Sequence, residues 1–407
     1  MLLSIACILL SGMILGWLCK KIRFPSLFGM IIAGIIIGPS CLGLIDNSIL
    51  SISADIRRAA LIIILLRAGL KLELSDLKKA GRPAVLMCFL PACFEVAGMA
   101  LLAPLLLGMS LIDSLILGAV IAAVSPAVVV PRMIKLIDEG YGTDRSIPQM
   151  ILAGASVDDV FVIVLFTTFT GLAKGESISV MRFVNIPVSI ITGVAVGLCG
   201  GFLLSLFFDK CKSKATVMTL ILLSIAFLLS FSEERFSQYV PFASLIGVMC
   251  LGIGIKRKIP ETASRLSGKF NEMWIMAEIF LFVLVGASVK IESAMSAGVN
   301  MIILLFAVLI IRMAGVFVCV LGTKLNMKER LFCMIAYTPK ATVQAAIGGL
   351  PLAMGLPCGE IVLTVSVIAI LLTAPLGALG IDLSYKKFLK KTSQKRAKNE
   401  PKRPNIN

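Results

Sequence analysis

Long apolar runs, separated by short polar segments, recur along the whole chain. A membrane-spanning α-helix needs about 20 predominantly apolar residues. About 13 runs approach or exceed that length: 3–19, 25–43, 52–70, 83–107, 111–134, 148–172, 187–208, 215–231, 238–255, 272–289, 298–321, 328–354 and 360–380. Arg67 and Lys340 interrupt the third and twelfth runs. The pattern predicts an all-α, polytopic membrane protein of about 13 transmembrane helices.

Composition and charge agree with this class and orient the chain. Hydrophobic residues make up 58% of the sequence, and the mean hydropathy of +1.00 is far above that of soluble domains. With the N-terminus outside, the inner segments hold 30 of the 39 Lys and Arg residues, and the outer ones six. This bias predicts an outer N-terminus, an inner C-terminus and an odd number of spans. Arg57 and Arg58 are counted among the outer six.

The net charge of +16 therefore follows from topology, and no nucleic-acid partner is required. Residues 381–407 carry nine basic residues and are predicted to form a cytoplasmic tail that lies on anionic membrane lipid. The sequence suggests the cytoplasmic membrane of a bacterial cell as the location.

Resident cofactors and covalent catalysis are not expected. The chain has no histidine, and its 11 cysteines are scattered without a CxxC pair, which argues against zinc sites and disulfides. No nucleophile–base pair or phosphate-binding loop is apparent, so the chain is not predicted to be an enzyme.

Two adjacent carboxylates, Asp158 and Asp159, lie inside the apolar run 148–172. A single charge at the centre of a membrane helix costs roughly 2.5–3.5 kcal/mol on insertion scales, so such residues indicate a functional site. Neighbouring residues on a helix point about 100° apart. One aspartate is therefore expected to line a cavity and the other to face a neighbouring helix.

Prolines interrupt two of the predicted spans. Pro126 and Pro131 lie in the fifth run and Pro339 in the twelfth. Proline frees backbone carbonyls, and irregular backbone within a membrane is tolerated only where it is buried in protein or lines a cavity. Because the breaks lie seven spans apart, spans one to six and eight to thirteen form an inverted repeat. Paired broken helices in inverted halves indicate the midplane site of a secondary transporter.

These features together predict a site for a hard cation, which prefers oxygen ligands. The candidate cation ligands are Asp159, Asp158, Ser156 and the freed backbone carbonyls near Ser125 and Thr342. A poorly solvated carboxylate also takes up protons more readily than one in water. Proton and cation would then compete for one site, and alternating access would turn that competition into exchange.

A second pair of buried charges is expected between Glu95 in the fourth run and Arg312 in the eleventh. These runs are also repeat mates, and unpaired charges there would be very costly. The pair could form part of the transport core or could only fix helix packing.

Further polar residues within spans allow two interpretations each. Lys340 could compensate the carbonyls of a half-helix end or extend to the membrane surface. Gln344 and Thr342 could line the cavity or satisfy local backbone. Glu278 could be another site acid or lie at the interface, and Arg67 could reach the inner surface.

The segments 154–159, 125–131 and 339–348, taken together, resemble the cation/proton antiporter superfamily. The resemblance is nearest to its NHA-type sodium/proton antiporter branch, and Glu95 and residues 67–70 are similar to that branch too. It covers residues 1–380, essentially the whole membrane unit.

This resemblance implies a homodimer that exchanges Na⁺ or Li⁺ for H⁺ by an elevator-like movement. It implies a core of helices at 83–172 and 298–380, with two crossed broken helices, and dimer or scaffold helices at 1–70 and 187–289. Asp159 matches the principal ion-binding aspartate of the family.

One departure from the family concerns Arg312. Many antiporters with an Asp-Asp pair place a lysine at this position, paired with the first aspartate. Arginine does not deprotonate in proteins, so it cannot carry a transported proton. The substitution favours a standing Glu95–Arg312 pair and leaves the usual electrogenic stoichiometry open.

Two other transporter classes remain as alternatives. A K⁺/H⁺ antiporter of the same superfamily would typically add a soluble nucleotide-binding domain, but no GxGxxG pattern follows residue 380. A Na⁺-coupled organic-anion symporter of similar fold would need positive groups in its cavity, whereas this site is centred on two carboxylates.

Overall fold

The computed structural model describes residues 1–22, 24–71, 74–173, 180–211, 214–236, 242–288 and 298–391. Within these ranges the regular structure is helical, apart from an isolated bridge between Tyr141 and Lys391. The all-α prediction is confirmed. The helices are α1 (Leu2–Lys21), α2 (Ser26–Ile37), α3 (Asn47–Ser51), α4 (Ser53–Lys71), α5 (Leu74–Met87), α6 (Leu90–Leu107), α7 (Leu111–Ile121), α8 (Pro126–Glu139), α9 (Ile147–Ala173), α10 (Val180–Cys211), α11 (Ala215–Phe236), α12 (Ser244–Lys258), α13 (Pro260–Ala287), α14 (Gly298–Cys319), α15 (Met327–Ala336), α16 (Thr342–Ile347), α17 (Leu350–Ala353) and α18 (Gly359–Phe388).

Each of the 13 predicted runs overlaps at least one of these helices. In the part of the chain that the structure describes, nine helical segments are long and apolar enough to cross a membrane, when 81–107 and 111–139 are each counted as one segment across their breaks. Others fall short for physical reasons: α2 has only 12 residues, and α4 carries several charged side chains. The number 13 therefore stays a prediction, although the polytopic character is established.

Two boundaries differ from the sequence prediction. The run 83–107 is not one helix, because α5 ends at Met87 and α6 begins at Leu90 with Pro91 in its first turn. Proline has no N–H group to continue a helix and is favoured at a helix start. The run 328–354 is interrupted twice, since a second irregular segment at 348–349 separates α16 from α17. A hydropathy pattern does not register such short interruptions.

The helices pack in two groups. The first, called the core group here, comprises α5–α9 and α14–α18, with close pairs such as α6–α14, α5–α9 and α15–α18. The second, called the scaffold group, comprises α1, α2, α4 and α10–α13, with close pairs such as α10–α12 and α4–α13. Between the groups, α4 and α13 contact α16, and α2 contacts α18. The core group carries both broken helices and the two aspartates.

Glycine permits the close approach of α10 and α12 in the scaffold group. A Cβ atom added at Gly197 would lie 2.9 Å from the Cα of Gly247. Membrane helices commonly pack through small residues in this way, because lipid provides no hydrophobic drive for association.

Candidate cation site

The two interrupted helices meet at their breaks. The first break is the segment 122–125 between α7 and α8, and the second is the segment 337–341 between α15 and α16. The backbone N–H of Ser125 donates to the carbonyl of Pro339 at 2.7 Å. Pro126 is the first residue of α8 and fits there because a first-turn residue needs no N–H. Each break therefore satisfies part of the other's backbone.

Gln344 ties the second broken helix to the end of α7. Its side-chain Nε2 lies 3.2, 3.1 and 3.0 Å from the carbonyl oxygens of Val120, Ile121 and Ala123, respectively. The last carbonyls of a helix have no partner within that helix, and no water is expected at this depth. A buried amide from the other half of the chain supplies the missing donor.

Arg312 on α14 connects both breaks and two carboxylates. Its Nε donates to the Tyr337 carbonyl at 3.0 Å, and its Nη1 donates to the Ala122 carbonyl. The same Nη1 lies 2.7 Å from Glu95 Oε2, and Nη2 lies 3.1 Å from Asp158 Oδ2. The guanidinium is fully buried, so these acceptors replace its hydration.

Lys340 completes a four-charge cluster. Its Nζ lies 2.5 Å from Glu95 Oε2, and its backbone N–H donates to Thr373 Oγ1 on α18 at 2.9 Å. Two cations, Arg312 and Lys340, thus face two anions, Glu95 and Asp158, all buried. The cluster is electrically neutral, the condition under which buried charges are tolerated.

The two adjacent aspartates have different surroundings. Asp158 is fully buried, and its Oδ2 accepts from the Val124 N–H at 2.8 Å as well as from Arg312. Asp159 has no hydrogen bond or ion pair to any described residue, although its Oδ1 is screened from solvent. The helical rotation between neighbours explains how one carboxylate joins the charged cluster while the next one points away from it.

Buried oxygens without a hydrogen-bond partner gather on the elements that meet here. Within the described residues, these include Ser125 Oγ, Asp158 Oδ1, Asp159 Oδ1, Thr342 Oγ1 and Gln344 Oε1. Two hydrogen bonds connect these elements: one joins α9 to the first break, and the other joins α16 to the first break. Each unpartnered oxygen belongs to a residue within two positions of one of these bonds. Native proteins rarely leave buried polar atoms unpartnered, so such a set calls for an explanation. Carboxylate, hydroxyl and amide oxygens are the ligands that a hard cation prefers.

Clusters of at least three His, Cys, Asp or Glu side chains that could hold a metal ion are not found in the described ranges. The oxygen set therefore differs from a multi-carboxylate metal centre. It contains two carboxylates and three neutral oxygens, a composition suited to an ion of low charge.

Comparison with known proteins decides the family. The sequence pattern of the family described as "sodium/hydrogen exchanger, transmembrane" matches residues 6–383 of this chain. The chain belongs to the sodium/hydrogen exchanger family.

Curated relatives of this exchanger align along most of its length. It is 33% identical over 402 residues to human "Sodium/hydrogen exchanger 9B2", covering 95% of this chain and 74% of the relative. Human "Sodium/hydrogen exchanger 9B1" is 29% identical over 357 residues, covering 83% of this chain and 67% of the relative. These matches agree with the NHA-type branch indicated by the sequence.

The fold of the exchanger also matches a solved structure. The sodium proton antiporter MjNhaP1 from Methanocaldococcus jannaschii, determined at pH 8, superposes with a TM-score of 0.81. The match covers 94% of this chain and 97% of MjNhaP1 at 19% identity. At that identity the likeness establishes a shared fold, and the site must be argued from this chain's own residues.

Other residues singled out from the exchanger's sequence have varied surroundings. The side chain of Ser156 lies outside the part of the chain that the structure describes. Pro131 lies within α8, one turn beyond its start. Lys340 is 1% exposed and does not extend to a surface. Glu278 and Arg67 lie on α13 and α4 of the scaffold group, away from the core elements that carry the aspartates.

Several contributors to the site were not anticipated. They include the carbonyls of Ala122 and Tyr337, which accept from Arg312, and the hydroxyl of Thr373, which accepts from the Lys340 N–H. The breaks indicated that carbonyls would be freed, but nothing in the sequence specified the arginine as their donor. Thr373 lies in an ordinary apolar run and carries no signal of its own.

Proposed function

We propose that this exchanger family member transports Na⁺ or Li⁺ in exchange for H⁺, with Asp159 as the carboxylate that binds either ion. The observation that carries the proposal is the charge balance at the crossing. Glu95 and Asp158 are matched by Arg312 and Lys340, whereas Asp159 has no partner among the described residues. A monovalent cation or a proton neutralises it equally well.

This charge balance also accounts for coupling. With Na⁺ or H⁺ bound, the whole cluster is neutral, and the core can change its exposure without carrying a net charge through a low-dielectric region. With neither bound, the Asp159 carboxylate would have to remain unneutralised, which is expensive away from water. The loaded states therefore move more readily than the unloaded state, and transport becomes an exchange.

In the proposed site, the cation is held by oxygens of neutral groups in addition to Asp159. Ser125 and Thr342 contribute hydroxyls from the two breaks, Gln344 contributes its amide oxygen, and Asp158 contributes Oδ1. Ser156 remains a candidate ligand from the sequence. Arg312 and Lys340 are not ligands in this scheme, because a guanidinium and an ammonium are positively charged and have no lone pair to offer a cation.

Alternating access is proposed to move the core group against the scaffold group. The scaffold group would also form a homodimer interface. The cell membrane is the proposed location, with the N-terminus outside, the C-terminus inside and the basic residues of 381–407 near anionic lipid. In this scheme the cargo ions are the only ligands, and no covalent chemistry is involved.

The test is exchange in proteoliposomes that enclose a pH-sensitive dye, with NaCl, LiCl, KCl or choline chloride added outside. Proton movement with Na⁺ and Li⁺, absent for the Asp159→Asn protein, is the expected result. A response to K⁺ alone would replace the proposal with a K⁺/H⁺ antiporter. No response to any cation would overturn exchange and point to organic anions as cargo, with the aspartates as a sodium-coupling site.

A further inference from the structure

A buried arginine in the scaffold group has no charged partner among the described residues. Arg57 on α4 is 5% exposed, and its Nε donates only to the Ser53 carbonyl of its own helix at 3.2 Å. Its Nη1 has no hydrogen-bond partner, and no ion pair to it is found in the described parts of the chain. The neighbouring Arg58 is half-buried and donates to the Ser230 carbonyl on α11 at 3.3 Å.

Such an arginine is costly to keep. Burying a charge without an opposite charge nearby is unfavourable. Packing alone would be better served by a leucine or methionine. An unpaired cation in this environment therefore indicates a function.

The guanidinium of Arg57 lies against the backbone of Gly349, in the core group. A Cβ atom added at Gly349 would come within 2.7 Å of Arg57 Cζ and 2.8 Å of Nη2. Gly349 lies between α16 and α17 and has ordinary helical dihedrals, with φ of −93°. Glycine is thus present here because the arginine occupies the space of a side chain, and not because of backbone strain.

This contact joins the scaffold to the far end of the broken helix that contributes to the cation site. α16 has six residues, so at 1.5 Å per residue it is about 9 Å long. Its first residue, Thr342, and its third, Gln344, carry oxygens of the proposed site. Its C-terminal end, which favours a nearby cation, leads directly into the segment held by Arg57.

We propose that Arg57 is a positioning residue for exchange: from the scaffold it holds the C-terminal end of α16 and thereby fixes Thr342 and Gln344 at the cation site. The proposal rests on the exchange function proposed above. In a cycle in which the core moves against the scaffold, the Arg57–Gly349 contact breaks and re-forms. Arg58, which donates to the Ser230 carbonyl in the scaffold group, is not assigned this role.

The first test compares Na⁺-driven exchange by Arg57→Gln, Arg57→Lys and the matched control Arg58→Gln. Loss of the Arg57 contact should loosen α16 and raise the apparent KM for Na⁺ at least about fivefold, a usual size for coupling between sites. The maximal rate should not fall, because contact breakage is part of the cycle. Arg57→Lys should restore part of the affinity, and Arg58→Gln should match the unmodified protein within about twofold. A KM for Arg57→Gln equal to that of Arg58→Gln would overturn the proposal.

A second variant acts from the core side of the contact. Gly349→Ala would force the guanidinium away and should raise KM in the same direction, while the same change in an Arg57→Ala background should have little further effect. Residues in direct contact show such non-additivity. Additive effects of the two substitutions would contradict a direct contact. Gly171→Ala is the control, since a Cβ there meets nothing within 4 Å.

Amide hydrogen exchange separates this proposal from the function on which it depends. Arg57→Gln should speed exchange in residues 342–353 relative to Arg58→Gln, whether or not the protein transports Na⁺. If the protein moves no protons but Arg57→Gln still speeds amide exchange in residues 342–353, the proposed sodium/proton function is refuted and the positioning contact is supported. Unchanged protection of 342–353 would remove the positioning role even in an active exchanger.

Discussion

The two sides of the candidate site differ in how their charges are met. On one side, here called the paired side, Glu95, Asp158, Arg312 and Lys340 satisfy one another over distances of 2.5 to 3.1 Å. On the other, here called the open side, the Asp159 carboxylate and two break hydroxyls have buried oxygens without partners. The paired side contains Asp158, and the open side contains the next residue, Asp159.

Because of this difference, one aspartate can hold the helices together while its identical neighbour is left to bind an ion. The paired side joins α6, α9, α14 and both breaks, and most of its polar groups are engaged with one another, although Asp158 Oδ1 has no hydrogen-bond partner among the described residues. The open side has capacity for a ligand but contributes few contacts to the fold. Substitutions should therefore affect stability on one side and transport on the other.

The sharpest test substitutes one aspartate at a time. Asp159→Asn should reduce exchange at least a hundredfold with an unchanged melting temperature, because the amide cannot alternate between a cation and a proton. Asp158→Asn should instead lower stability by about 1.5–3 kcal/mol, the usual worth of hydrogen bonds to a charged group. Exchange assays and thermal melts of the two purified proteins measure both quantities. Normal exchange by Asp159→Asn would end the assignment of the open side.

Among substitutions on the paired side, removal of Arg312 should cause the largest loss of stability. Arg312→Ala removes one donor from each of two carboxylates and two carbonyls, and breaking a buried pair costs about 3–5 kcal/mol. The matched control is Arg132→Ala, which removes an ion pair with Asp382 that is partly exposed at 3.2 Å and so is worth at most about 1 kcal/mol. Equal melting temperatures for the two variants would show that the buried cluster does not hold the helices together.

A smaller loss is expected from Gln344→Met, which keeps the side-chain volume but removes the donor to three carbonyls. Leaving buried carbonyls unsatisfied costs about 1–3 kcal/mol. The loss should appear as a lower melting temperature and as faster amide exchange within 120–125. Gln149→Met on α9 serves as the control. A Gln344 variant as stable as this control would mean that the Gln344 amide does not stabilise the C-terminal end of α7.

The mildest effects should come from the hydroxyls of the open side. Ser125→Ala and Thr342→Val should each raise the apparent KM for Na⁺ about three- to tenfold, the equivalent of one net hydrogen-bond-sized interaction. Thr364→Val on α18 should leave KM unchanged, because Thr364 Oγ1 donates within its own helix at 2.8 Å. A KM for Na⁺ that is insensitive to both hydroxyls would confine binding to the carboxylate.

The sequence was sufficient to predict an all-α membrane fold and the positions of its two broken helices. Apolar runs mark most of the long helices, but not α3 or the first half of α5, and the prolines at 126 and 339 marked the two breaks. The contact between Glu95 and Arg312 could be anticipated because both charges lie in repeat-related runs and neither could remain alone. These inferences depend on the cost of charge and of irregular backbone in lipid, which acts on any sequence.

What could not be predicted depends on the direction of individual side chains. Helical periodicity separates Asp158 from Asp159 by about 100°, but it cannot state which of them faces Arg312. Lys340 joining Glu95, and Gln344 serving three carbonyls of another helix, both require the relative placement of distant segments. Arg57 was counted among the outer basic residues, although it lies within the predicted run 52–70, and the structure places it buried inside α4.

Complete burial of the four-charge cluster bears on how salt acts on this protein. At physiological ionic strength, screening over about 8 Å weakens interactions between exposed charges and leaves dry pairs nearly unaffected. Raising choline chloride should therefore not loosen the crossing of the broken helices. NaCl, in contrast, would stabilise the folded protein by mass action through the binding site, in proportion to the logarithm of its concentration. The difference between two salts of equal ionic strength thus reports the occupancy of a single ion site.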